Sequence, residues 1–85
     1  MMLNKNLLKK QIIYRSTHRG SKEMDLILGN FVKKHINTFD KKDLDDLANL
    51  LIVEDEILYK LCFQKKSSKK IRKTRVAMLL KNFKL

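Results

Sequence analysis

The sequence predicts an all-α protein, a compact bundle of about five short helices, on three observations. There is no proline and only two glycines, Gly20 and Gly29, in 85 residues. Strands joined by tight turns need more turn-forming residues than that. Apolar residues recur instead at i, i+3, i+4 and i+7, the spacing of one helical face. Residues that cap helices stand where these stripes begin. Short connections between the helices favour antiparallel neighbours, and 1–85 reads as one helical domain.

The first helix is expected over about 4–18, closed by Gly20 in a left-handed conformation. The second is expected over about 22–36, with Ser21 as N-cap and Glu23 and Asp25 in the first turn, where the helix dipole favours negative charge. Its stripe is Met24, Ile27, Leu28 and Phe31, with Ile36 beyond. Asp40 caps a third helix over about 41–52, with Asp43 three residues on and a stripe of Leu44, Leu47, Ala48 and Leu51. The acids Glu54, Asp55 and Glu56 open a fourth over about 55–64, buried through Ile57, Leu58, Leu61 and Cys62. A fifth is expected over about 68–82, capped by Ser67 or Ser68 and buried through Val76, Leu79, Leu80 and Phe83. The low-complexity piece KKSSKKIRK at 65–73 is either a mobile loop or the frayed start of that helix.

A net charge of +11 is unevenly spread. Residues 1–22 carry +6, residues 23–59 carry −5 and residues 60–85 carry +10, so basic ends flank an acidic middle. Such charge raises non-specific affinity for nucleic acid or anionic lipid without defining a fold. Sixteen of the twenty basic residues are lysine, which also fits a merely solvated surface. The lone Cys62 cannot form an internal disulfide, which suits a reducing compartment. His18 and His35 fall on different helices without metal-ligand spacing, so each reads as a surface or capping residue. Cys62 reads as a small buried hydrophobe rather than a nucleophile. No glycine-rich phosphate loop is present. Lysines interrupt the N-terminal stretch MMLNKNLLKKQIIY where a signal peptide needs an apolar run, and no apolar run approaches the ~20 residues of a membrane span.

The informative stretch is 12–31. Arg19-Gly20-Ser21-Lys22-Glu23 makes a sharp corner between the first two helices. Gly20 lets the backbone turn, Arg19 is expected to project beside the mouth of the second helix, and Glu23 lies about one turn along, placed to hold Arg19 or to face a partner. An arginine and a carboxylate fixed at a corner form a hydrogen-bonding head for polar groups of another protein. Ordinary capping with an incidental ion pair would give the same spacing.

The run YRSTHRGSKEMDLILGNF closely resembles the signature of the succinate dehydrogenase assembly factor 2 family, the small flavinylation factors of bacteria and mitochondria. The elements that carry the resemblance are Tyr14-Arg15, Arg19-Gly20-Ser21-Lys22-Glu23, Asp25-Leu26 and Leu28-Gly29-Asn30-Phe31. A second element runs from Leu50-Leu51 and Glu54-Asp55 through Leu58-Tyr59, so about residues 12–62 are covered in order. The resemblance implies a non-enzymatic five-helix factor that binds the flavoprotein subunit of succinate dehydrogenase and, in some bacteria, that of fumarate reductase. It implies that the factor promotes the covalent bond between FAD and a histidine of that subunit, and that the FAD belongs to the client. Arg19, Gly20 and Glu23 inherit the partner-binding role, with Arg15 and Asp25 at the edge of the same surface.

Many relatives carry Trp near the position of Leu61 and Pro where this chain has Glu56. The strongly basic C-terminal segment lies outside the resemblance. Without a visible presequence, the bacterial cytoplasm is expected over the mitochondrial matrix. Two other classes remain. A small basic nucleic-acid-binding module is favoured by charge, but its second helix would be acidic and apolar rather than polar. An interfacial membrane helix over KKIRKTRVAMLLKNFKL competes with packing of that helix on the bundle, which an 85-residue core needs.

Overall fold

The computed structural model describes residues 5–85. Five helices follow in order: α1 Lys5–Thr17, α2 Lys22–His35, α3 Lys41–Leu50, α4 Asp55–Gln64 and α5 Arg75–Lys81. The described residues contain no strand, so the all-α class read from the apolar spacing holds. The expected start of α1 at residue 4 lies outside the described residues.

The stripes become one continuous core. Met24, Ile27, Leu28 and Phe31 of α2 are buried, as are Leu44, Leu47 and Ala48 of α3 and Leu58, Leu61 and Cys62 of α4. α1 contributes a narrower line, Leu8, Ile12 and Ser16, spaced by four residues. It lies against α2 and α3, while α5 bridges α3 and α4. Val76, Ala77 and Leu80 of α5 are buried, and Leu79 and Phe83 pack against the same cluster. Helix five is therefore a core element, and its apolar stripe is taken up by the bundle. Leu61 is buried in that cluster too.

The caps follow the sequence at two ends. The Ser21 hydroxyl accepts from the Met24 N–H at 3.2 Å, and Asp40 Oδ1 accepts from the Asp43 N–H at 2.8 Å. Glu23 and Asp25 occupy the first turn of α2, with Lys33, Lys34 and His35 in its last, the arrangement the dipole favours. α4 has the acids of its first turn but no side-chain cap from Glu54.

Two expectations are corrected here. α5 begins at Arg75, seven residues later than expected, and its N-cap is Thr74, whose hydroxyl accepts from the Ala77 N–H at 3.0 Å. Ser67 and Ser68 cap nothing; the Ser68 hydroxyl accepts from the Lys70 N–H at 3.2 Å in a local turn. α4 ends at Lys65, which has φ 56°, and the Lys66 N–H closes the helix on the Lys60 carbonyl at 3.0 Å. The chain then runs irregularly over 65–74 and drops Ile71 into the core. The second correction is Gly20, which does not take the left-handed conformation. Lys65 does so instead, at the end of a different helix.

Candidate functional site

The corner between α1 and α2 is built around an arginine that points inward. Arg19 has a side-chain exposure of 11%, and its guanidinium reaches three elements at once. Nε donates to Asp55 Oδ1 at 2.8 Å, and Nη2 donates to the same oxygen. Nη1 donates to the Leu51 carbonyl at 2.7 Å and the Arg15 carbonyl at 3.2 Å, and Nη2 also donates to the Val53 carbonyl at 3.2 Å. One planar fork thus ties the last turn of α1 to the α3–α4 turn and to the first residue of α4. Lysine, a point charge with three donors, could not satisfy that set.

Arg19 therefore does not project, and Glu23 does not hold it; both points differ from the reading of the corner by spacing. Carbonyls at the end of a helix and in a tight turn are left over as acceptors, and together with the Asp55 carboxylate they offer the guanidinium four acceptors where Glu23 would offer a single carboxylate. Glu23 is exposed and forms no ion pair among the described residues. Asp25 turns back instead, its Oδ1 accepting from the Arg19 N–H at 2.7 Å. Arg15 is half-buried and supplies a backbone carbonyl to the network.

Gly20 is explained by close approach. Its N–H donates to Asp55 Oδ2 at 3.2 Å, and a Cβ there would stand 3.4 Å from that oxygen. A methyl would only touch the carboxylate, while a longer side chain would compete with it for space. Asp55 is thus clamped by both neighbours, Arg19 on one oxygen and Gly20 on the other. Burial alone would raise its pKa, but the Gly20 amide and the Arg19 guanidinium outweigh burial and hold the carboxyl below its ordinary range.

Beside the corner, Tyr14 and His18 stack with ring centroids 3.8 Å apart, and His18 Nδ1 lies 2.8 Å from the Tyr14 carbonyl, to which it donates. Both are exposed, as is Ile52 at 67% in the α3–α4 turn. The outer surface of the corner therefore offers Glu23, the edge of Arg15, the Tyr14–His18 stack and Ile52, all on a frame fixed from behind by Arg19.

Asp55 and the Leu51 and Val53 carbonyls are the members that the spacing around 12–31 does not contain. The available signal is Asp55's place in the acidic trio 54–56, which follows a connection between two helices.

The other candidate groups stay apart from this site. Cys62 is buried, and burial pushes its thiol up to about 11, so it is protonated and inert at neutral pH. His35 packs between Phe31 and Phe39, at centroid distances of 4.7 and 4.9 Å. Burial, then the charges of Lys34 and Arg75, hold its pKa below the usual value. Among the described residues no group of His, Cys, Asp and Glu could hold a metal ion, and no helix is long and apolar enough to cross a membrane.

Comparison with known proteins bears on what this corner is for. A family model described as flavinator of succinate dehydrogenase matches residues 10–84. The FAD assembly factor SdhE of Wigglesworthia glossinidia brevipalpis is 38% identical over 66 residues, which cover 75% of this chain and 79% of that protein. The mitochondrial succinate dehydrogenase assembly factor 2 of Arabidopsis thaliana is 37% identical over 57 residues, covering 67% of this chain and 30% of its own length. Its counterpart in Scheffersomyces stipitis is 39% identical over 51 residues, covering 60% and 34%. The chain thus spans about a third of these two mitochondrial relatives. No solved structure gives a significant match. With nearly its whole length matched, the chain belongs to the family of succinate dehydrogenase flavinators.

Proposed function

We propose that this chain is an assembly factor that binds the apo-flavoprotein subunit of succinate dehydrogenase and promotes covalent attachment of FAD to it. The flavoprotein subunit of fumarate reductase is a second client of the same chemistry. The factor is not an enzyme, holds no cofactor of its own, and leaves the FAD with the client. It works in the bacterial cytoplasm, a placement supported by the bacterial relative that the chain covers over most of its length.

The observation that carries the reading is the match of nearly the entire chain to the flavinator family together with a corner locked from inside. Arg19, Gly20 and Glu23 form the partner-binding head, with Arg15 and Asp25 at its edge. They divide the work. Arg19 and Asp25 shape the corner, Gly20 keeps the Asp55 carboxylate close, and Glu23 and Arg15 meet the partner. A rigid head of this kind contributes positioning: it holds the client so that the acceptor histidine and the flavin stay in reacting geometry, and client and cofactor carry out the bond formation.

The test is in-gel flavin fluorescence of the denatured flavoprotein subunit from cells with and without this gene. Covalent flavin falls on deletion and returns with the wild-type gene, but not with Glu23→Ala, whose exposed side chain makes no ion pair or hydrogen bond among the described residues. Full restoration by Glu23→Ala would remove that carboxylate from the interface. Unchanged flavin on deletion would sink the function itself.

A further inference from the structure

A groove on the opposite side of α4 from its first turn lies between the 65–74 connection and α5. It has a volume of about 250 Å³, slightly below the ~300–1,000 Å³ of pockets that enclose a small molecule. Its floor is apolar: Leu61, Ile71, Ala77 and the half-exposed Met78. Its rim is basic, with Arg72, Lys73 and Lys81 beside the Ser67–Ser68 turn. Two adjoining depressions share that turn and add Lys66 and Lys69. No carboxylate lines any of the three, and residues 60–85 contain no acid at all.

We infer that this groove is a docking site for an acidic protein segment that seats one large apolar side chain on the Leu61–Ile71–Ala77–Met78 floor while its carboxylates meet the basic rim. Three features select that occupant. The volume fits one or two side chains and is too small for a dinucleotide. The rim is of one sign, so a carboxylate-rich segment is steered in and a basic one is repelled. The concave shape argues against a membrane surface, where the apolar groups must protrude into the lipid boundary. Single-stranded nucleic acid is disfavoured by the lining, which has no aromatic ring on which a base could stack. The connection that forms the wall is held in place by Ile71, by the Ile71 N–H to Ser68 carbonyl bond at 3.1 Å, and by the Lys81 ammonium on the Ser67 hydroxyl at 3.2 Å. The groove is thus part of the folded chain before any partner arrives. It uses none of the residues of the α1–α2 corner, so the two proposals stand or fall separately.

The experiment titrates the full chain into a fluorescein-labelled peptide of Asp and Glu around a central Phe, read by anisotropy. Parallel titrations use the same peptide with Phe replaced by Ser, a 20-nucleotide oligo-dT, and vesicles containing phosphatidylserine. The Phe peptide is expected to bind with Kd on the order of 10 μM. The Ser peptide should bind at least about tenfold more weakly, since a buried aromatic side chain is worth more than ~1.4 kcal/mol. Met78→Glu, which places a like charge at an exposed position of the floor, should weaken the Phe peptide by about tenfold or more with the helical circular dichroism unchanged. Amide and methyl shifts of the wild-type chain should move around Ile71, Ala77 and Met78, a readout that needs no variant. Equal binding of the two peptides would reduce the site to bare charge and overturn the proposal. So would the absence of peptide binding, or tighter binding of oligo-dT or vesicles than of the Phe peptide.

Discussion

Removing the Arg19 guanidinium leaves four acceptors without their donor: Asp55 Oδ1 and the carbonyls of Arg15, Leu51 and Val53. A hydrogen bond to a charged group contributes about 1.5–3 kcal/mol, and a stranded buried acceptor costs a comparable amount. Asp55 is partly solvated, with 41% of its side chain exposed, so the ion pair itself is screened and adds little. Arg19→Ala should therefore lower unfolding free energy by about 2–3 kcal/mol, and Arg19→Lys should recover less than half of that. Urea denaturation measures both; a Lys variant as stable as wild type would show that charge alone holds the corner. The same network sets an acid dependence. Because the folded Asp55 pKa lies below its unfolded value, its stabilisation is complete above the ordinary carboxylate range and is lost as pH falls through the lower folded value. Wild type and Asp55→Asn should differ in urea midpoint at pH 7, and the gap should close only as pH falls below the ordinary carboxylate value and through the lower folded one. A gap that does not narrow at all as pH falls below the ordinary carboxylate value would mean that Asp55 acts through shape rather than charge. The arginine and glycine of this corner stand out in the sequence because they are adjacent, but the inward turn of Arg19 and the ordinary backbone of Gly20 were not legible there. Nor was Asp55, because the register of the 51–54 turn decides which of Glu54, Asp55 and Glu56 meets Arg19, and nothing local fixes that register.

At the scale of elements, α5 separates a cap that works from two that resemble one. Thr74→Ala removes the acceptor of the Ala77 N–H and should cost about 1 kcal/mol. Ser68→Ala touches only an exposed turn and should stay within about 0.5 kcal/mol. Thermal melts distinguish the two, since 1 kcal/mol shifts Tm by roughly 4–8 °C in a domain this small. A larger loss from Ser68→Ala would restore the longer helix expected over 68–82. The stripe itself argues against that helix. Continued back from Val76, it would bring Arg72 and Lys73 onto the buried face at i−4 and i−3, whereas the buried residue is Ile71, one step out of phase. Four helices were legible within about two residues, α2 and α3 because stripe and cap agree, α4 from its stripe and first-turn acids. The fifth was misplaced because serines in a lysine run look like a cap when phase is ignored. Isolated apolar residues in connections, Phe39 and Ile71, are buried without any periodic signal; only the tertiary fold explains them.

At the scale of the whole molecule, the chain has a radius of gyration of 11.9 Å, the value of about 12 Å expected for a globule of this length. A globule this small has little stability to spare, of order 5–15 kcal/mol at most. The α1–α2 corner lies at one end of α4, and the basic segment beyond residue 64 lies outside the span in which the resemblance was legible. It would be natural to treat that segment as an appendage. The packing argues otherwise, because Ile71, Val76 and Leu80 are each at most 7% exposed and close the core over α3 and α4. Burying each contributes about 1.5–3 kcal/mol, so together they amount to most of the stability available. A chain truncated after Lys70 should consequently lose its cooperative thermal transition and its dispersed amide spectrum, although α1–α4 and the entire Arg19 corner remain in the sequence. If the truncated chain instead melts cooperatively with α-helical circular dichroism, α1–α4 hold a complete core by themselves. The basic tail would then be free to serve partners without any cost to the fold.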